Sequence, residues 1–187
     1  LPPTLRRQRQ MCIRDSRHVM MAERPNGDFA HTILRQFFFA AYMNPFWQAM
    51  TGSADMQLAA HAGKAVKETA YHIRHSGEWV IRLGDGTEES ARRMAAALDD
   101  LAPYVGEMFE TDDTASRLVA AGILPDPAPV RGAFDDTVAR TFAMATMPPF
   151  EVPAGISGGR NGRHGEVLGH LLAEMQQMQR AYPGLTW

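Results

Sequence analysis

Apolar residues recur every three or four positions along most of the chain, the period of helices with one buried face. The first such pattern starts at Gly27 and Asp28, and the proline of the pair Asn44-Pro45 predicts a kink near the end of this helix. The segment TGSAD then interrupts the pattern, and Ser53 within it is a suitable N-cap for a second helix.

The second helix is predicted over residues 54–83, about 45 Å at 1.5 Å per residue, with Gly84 in the left-handed capping position. A third starts at Thr87, where two glutamates favour its positive end. Further helical patterns lie at residues 114–121, 134–144 and 167–181. A proline-rich connector separates the first two, and a glycine-rich loop precedes the last. Long helices with short links and no hairpin signal predict an all-α, antiparallel helical bundle.

Composition fits one globular domain of 187 residues, with 45% hydrophobic residues and a net charge of −2. This charge gives no general attraction to nucleic acid or to an anionic membrane, and no apolar run is long enough to span a bilayer. Cys12 is the one cysteine, which excludes a disulfide framework. No signal-peptide pattern is present, so we expect a cytoplasmic protein.

Residues 1–16, LPPTLRRQRQMCIRDS, have neither a helical nor a strand period and contain four arginines and one aspartate. They can be interpreted as a basic arm that binds nucleic acid. The peptide QMCIRDS, however, resembles an in-frame translation of the transposase end sequence used to build sequencing libraries. We therefore expect residues 1–16 to be a non-native leader and 17–187 to be the domain. Without the leader's four arginines and one aspartate the net charge changes from −2 to −5.

The stretch KAVKETAYHIRHSGEW has the residue types of a metal site on a helix. Di-iron bundles use Glu-x-x-His units, in which the acid precedes the histidine by three residues. Here Glu68 precedes His72 by four, and the residue three before His72 is Thr69. The preceding helix has no Asp, Glu or His between residues 32 and 54. These spacings favour a polar stripe without a metal, formed by Lys64, Glu68, His72 and His75.

An alternative function of a different class is an active metal-dependent oxidase of the di-iron type. It would use Glu68 and His72, with Glu166 and His170 from the last helix. Metal content distinguishes the two interpretations.

Three long motifs carry a family resemblance: ERPNGDFAHTILRQFF, KAVKETAYHIRHSGEWVIRLGDGTEES and SGGRNGRHGEVLGHLLAEMQQMQRAYPGLTW. Over residues 17–187 the chain resembles the family of C subunits of the bacterial phenylacetyl-CoA 1,2-epoxidases. The resemblance implies a ferritin-like bundle, here lacking the family's N-terminal helices. It also implies a non-catalytic structural subunit in phenylacetate catabolism that has no cofactor of its own. Its partners would be the other members of the complex, including the catalytic A subunit, which holds the di-iron centre.

The resemblance also assigns the metal-ligand positions. The catalytic subunit has Glu-x-x-His where this chain has Thr69 to His72, and its aspartate on the preceding helix aligns with Ala40. His72 is thus retained while two ligand positions have lapsed. We expect Glu68 and His72 to pair across the vacated space, together with Lys64 or Lys67, because buried unpaired polar groups are unfavourable. The alternative is that Glu68 faces solvent.

The glycine-rich loop at residues 155–165 holds Arg160, Arg163 and His164 just before a helix N-terminus. This arrangement suits an anion such as a phosphate of coenzyme A, which predicts a CoA-ester contact, although the spacing is neither a P-loop nor a dinucleotide fingerprint. A flexible connector is the alternative. For the interface with other subunits the candidates are the aromatic residues 37–39 and Trp47, unless residues 37–39 pack within the chain.

Overall fold

A computed structural model describes residues 16–182, which are helical and contain no β-strand in that range. The all-α prediction is confirmed. The predicted leader lies almost wholly outside the described residues. The chain divides into two compact units, residues 26–155 and residues 16–25 with 156–182. No helix within the described range is long and apolar enough to cross a membrane.

Seven α-helices are present in the described range: α1 Phe29–Met50, α2 Met56–Gly84, α3 Glu88–Val105, α4 Asp113–Ala120, α5 Pro127–Met144, α6 Glu166–Met175 and α7 Gln177–Ala181. Three short 3-10 helices accompany them, at Met20–Glu23, Gly106–Phe109 and Gly159–Asn161. The predicted last helix is divided at Gln176, where α6 ends and α7 begins.

Side-chain caps set the starts of the first helices. The Asp28 carboxylate accepts a hydrogen bond from the His31 backbone N–H at 3.1 Å and lies 2.7 Å from His31 Nδ1. These two hydrogen bonds lower the pKa of Asp28. At α3 the Thr87 side chain accepts from the Ser90 N–H and completes a capping box, as the predicted start requires.

Helix α1 contains Pro45 and ends at Met50, directly before the predicted break TGSAD. One local prediction about α2 is corrected. The N-cap of α2 is Asp55, whose carboxylate accepts from two backbone N–H groups, and not Ser53. The Ser53 hydroxyl instead donates to the Ile123 carbonyl at 2.8 Å, a contact between distant parts of the chain that local sequence cannot reveal.

Helix α1 is the centre of the unit formed by residues 26–155, where it packs against α2, α3 and α5. Its Phe37 and Phe38 are fully buried and meet Phe134 and Phe142 of α5, with ring centroids 6.2–6.4 Å apart. Burying each such side chain stabilises the fold by about 1.5–3 kcal/mol. Residues 37 and 38 therefore pack within this chain, and the prediction that they form an interface with another subunit is wrong.

Gly84 is needed for a reason other than the predicted one. It is a buried helical residue, and the cap residue after it, Asp85, has φ −92°. A Cβ atom at position 84 would lie 2.5 Å from the Ala145 carbonyl oxygen. The glycine thus allows the end of α2 to approach the end of α5 closely.

We expect Gly84→Ala to lower the free energy of unfolding by about 1–3 kcal/mol, because the methyl group forces backbone atoms apart. Gly63→Ala, in the same helix, is the matched control, since no atom lies within 4 Å of its added Cβ. The control should be neutral or up to about 1 kcal/mol more stable. Urea unfolding followed by circular dichroism measures both, and equal effects would contradict the close approach.

Candidate functional site

The polar stripe predicted on α2 faces solvent. Lys64, Glu68, His72 and His75 are all exposed. Within the described residues no hydrogen bond or ion pair joins Glu68 to His72 or Lys64, and the two histidine rings lie beside Tyr71 at 5.8–5.9 Å between centroids. The expected buried pairing of Glu68 with His72 is therefore wrong in this structure. The alternative, a solvent-facing Glu68, is the observed arrangement.

The two ligand positions that the resemblance assigns as lapsed hold no carboxylate. Ala40 on α1 is buried, with 2% of its surface exposed. The Thr69 hydroxyl donates to the Ala65 carbonyl at 2.8 Å and accepts from Asn44 Nδ2 at 3.0 Å. An alanine methyl group and a hydroxyl that is already hydrogen-bonded do not provide the carboxylate oxygens that a di-iron centre uses. The residues present do not fit such a centre.

Next to these two positions, the side chain of Asn44 on α1 is hydrogen-bonded to α2. Its side chain is nearly buried; Nδ2 donates to Thr69 and also lies 3.3 Å from the Val66 carbonyl, while Oδ1 accepts from Gln48 Nε2 at 2.9 Å. Each polar atom of this amide thus has a partner, as a buried amide requires. A neutral hydrogen-bonded network therefore joins the two helices beside the position where the resemblance places a metal ligand.

The active oxidase interpretation has no support in this geometry. Glu68 and His72 are exposed, and within residues 26–155 no third His, Cys, Asp or Glu side chain converges with them on one point. On α6, Glu166, His170 and Glu174 are likewise exposed along the helix surface. Such i, i+4 series are common on solvated helix faces.

The glycine-rich loop contains an anion partner that the sequence analysis did not foresee. The carboxylate of Glu23 accepts from the Gly165 N–H, immediately before α6, at 2.7 Å. His164, predicted to bind an external anion, instead contacts this carboxylate through Nδ1. The prediction for His164 is wrong, because its ring is buried against a negative charge of the chain itself. A CoA-ester contact through Arg160 and Arg163 stays a prediction.

We define the histidine–glutamate cluster as the side chains of His18, Glu23 and His164. His18 Nε2 lies 2.9 Å from Glu23 Oε1, which His164 Nδ1 also contacts. The two imidazole rings stack with centroids 4.6 Å apart. Exposure is 0% for the His164 side chain, 7% for Glu23 and 32% for His18. In the described part of the chain, this is the one group of three or more His, Cys, Asp or Glu side chains whose donor atoms converge.

Glycines allow the loop to reach the segment that carries His18 and Glu23. A Cβ atom on Gly159 would lie 2.3 Å from the His18 carbonyl oxygen. Gly158 has φ +121° and Gly162 has φ +84°, values that side chains disfavour. The glycines of the motif SGGRNGRHG therefore allow its backbone to lie close to the backbone of the segment at His18. Its glycines are evident in the sequence, but Glu23, 141 residues away from His164, has no local signal that predicts the contact.

Comparisons with known proteins agree with the resemblance. A family described as phenylacetic acid catabolic protein matches residues 7–187. The chain is 40% identical over 170 residues to the C subunit of 1,2-phenylacetyl-CoA epoxidase from Escherichia coli (strain K12), an alignment that covers 91% of this chain and 68% of that protein. The family match begins at residue 7, inside the predicted leader, so the boundary at residue 16 stays a prediction.

We expect Thr69→Val to destabilise the fold because it keeps the shape and removes the hydroxyl that Asn44 bonds. Thr137→Val is the matched control, since the Thr137 hydroxyl makes the same kind of bond within its own helix, to Ala133 at 2.8 Å, and has no partner on another helix among residues 16–182. The Thr69 variant should lose about 1 kcal/mol more than the control. Chemical unfolding of both variants measures the difference, and equal losses would show that the bond between helices contributes nothing.

Proposed function

The chain belongs to the phenylacetic acid catabolic protein family, and on that premise we propose that it is a structural, non-catalytic subunit of a multicomponent phenylacetyl-CoA epoxidase. In this role it binds the catalytic, di-iron subunit of the epoxidase and maintains the shape of the complex in aerobic phenylacetate catabolism. We place the complex in the cytoplasm, in line with a domain, residues 17–187, whose sequence has no cysteine for a disulfide.

One observation supports the proposal that this chain is not catalytic. At the position where the catalytic subunit is expected to have the acid of its Glu-x-x-His unit, this chain has Thr69, and the Thr69 hydroxyl is hydrogen-bonded to Asn44 of α1. The second expected ligand position is the buried methyl group of Ala40. Oxygen activation by a di-iron centre needs several carboxylates, and neither position provides one. In this proposal only the catalytic subunit holds iron.

The binding role is supported by an apolar stripe on α6 and α7. Five large apolar side chains, spaced by three or four residues along one face, are each 47–57% exposed: Val167, Leu171, Met175, Met178 and Tyr182. Leu168 and Leu172, each one residue after a member of the stripe, lie on the adjacent face of α6 and are buried, so the apolar surface of the helix extends beyond the part that the chain itself covers. An exposed apolar face on a surface helix is typical of binding sites for another protein, and methionines adapt well to a partner's surface. We assign this face to another subunit of the epoxidase.

The non-catalytic role is tested by metal analysis of the purified chain, first by itself and then in its complex with the catalytic subunit. We expect the isolated chain to contain no di-iron centre and the complex to contain only as much iron as the isolated catalytic subunit. About two irons per isolated chain, removed by His72→Ala, would establish the oxidase interpretation instead.

The binding role is tested by replacing two residues of the stripe, Leu171→Asp with Met175→Asp. Charges there must be desolvated on contact, so we expect the affinity for the catalytic subunit to fall at least about 10-fold. Met56→Asp is the matched control, because Met56 is 84% exposed at the start of α2 and lies outside the stripe. Affinities are measured by surface plasmon resonance, with circular dichroism to verify folding. Equal affinity of the stripe variant and the wild type would assign the interface elsewhere.

A further inference from the structure

The histidine–glutamate cluster poses a problem of proton placement. His164 Nε2 lies 3.0 Å from the Ser16 carbonyl oxygen, which only accepts hydrogen bonds, so this nitrogen carries a hydrogen. The other ring nitrogen, Nδ1, faces Glu23 Oε1, which is also an acceptor when the carboxylate is ionised. A neutral imidazole has one N–H and cannot donate in both directions. At hydrogen-bond contact only a proton fits between Nδ1 and the carboxylate, and a metal ion can take its place once the two groups move apart to ligand distances.

Three donors point toward that position. Besides His164 Nδ1 and Glu23 Oε1, His18 Nε2 lies 2.9 Å from the same carboxylate oxygen, and all three donor atoms are within 4.8 Å of one another. Ligands at about 2.0–2.1 Å from one ion lie up to about 4 Å apart, so small rotations of the rings are sufficient. Two imidazoles and one carboxylate are a donor set that suits zinc and related divalent transition metals.

Backbone groups next to the cluster hydrogen-bond its side chains and fix their orientation, as the hydrogen-bond partners of ligands do in metal sites. The Ser16 carbonyl holds the far nitrogen of His164, which leaves Nδ1 directed inward. The Gly165 N–H holds Glu23 Oε2 at 2.7 Å, which leaves Oε1 for the ion. His18 is one-third exposed, so the site has one open side through which an ion can enter and a water can bind.

We propose that His18, Glu23 and His164 bind one divalent transition metal ion of the zinc class, with a further coordination position open to water. The ion would connect the segment 16–23 to the loop 158–165, two stretches of one compact unit that lie more than 130 residues apart in the chain. This site is separate from the lapsed di-iron position on α1 and α2. It departs from the expectation that the chain binds no metal.

The experiment uses the full chain, stripped with a chelator and titrated with ZnCl₂ in competition with a chromophoric zinc indicator. We expect one zinc per chain. His18→Ala, chosen because His18 is partly exposed and tolerates removal, should weaken zinc binding more than about 10-fold, as should Glu23→Gln. Titration with CoCl₂ gives a second readout, since visible absorption bands of bound cobalt report a mixed nitrogen and oxygen ligand set. These bands should disappear in both variants.

The chain has seven histidines, so binding elsewhere needs a control. The double variant His72→Ala with His75→Ala removes the exposed pair on α2 and should bind zinc as the wild type does. Loss of binding in that variant would overturn the proposal, as would unchanged binding in His18→Ala and Glu23→Gln. Absence of stoichiometric zinc in the wild type would overturn it too and would show that a proton occupies the cluster. Because His18 and His72 lie in different sites, failure here is distinguishable from failure of the proposed function.

Discussion

The burial of Phe37 and Phe38 in α1 is the constraint on which the rest of the larger unit depends. Helix α1 contacts three other helices, and the side chains on its buried faces, nine of its 22 residues, have to fit a mainly apolar interior. A carboxylate at position 40 would be surrounded by this interior and would need a compensating charge or metal to be tolerated. Ala40 removes that requirement. At position 40 a central helix made for packing therefore has no metal ligand.

The Asn44–Thr69 hydrogen bond shows how such a helix pairs with its neighbour where an enzyme of this architecture would need metal ligands. A neutral amide and a hydroxyl satisfy each other without the large desolvation penalty of buried charges. They also need no ion for stability. The interior of the unit is thus held by packing and neutral hydrogen bonds at this place, as the proposed structural role requires.

Sequence reasoning succeeded where the deciding interaction was local. The period of apolar residues predicted α2 at residues 54–83, against Met56–Gly84 observed, and the capping residue Thr87 predicted the start of α3. It failed where a distant residue decided the outcome. Ser53 bonds Ile123 instead of capping α2, and Gly84 is required by the approach of Ala145. The exposure of Glu68 depends on which helices cover α2, which spacing along one helix does not reveal.

At the loop before α6, one feature follows from local sequence and another from a distant residue. Its glycines and the N–H groups of a helix start predicted an external anion such as a phosphate, with a flexible connector as the alternative. The anion in the structure is the carboxylate of Glu23, brought by the segment that precedes α1. This carboxylate also contacts His164 and His18, so the loop holds an anion that belongs to the chain itself, and the cation position that we propose lies beside it. The charge next to the start of α6 is therefore set by a residue 142 positions away from Gly165, not by the loop itself.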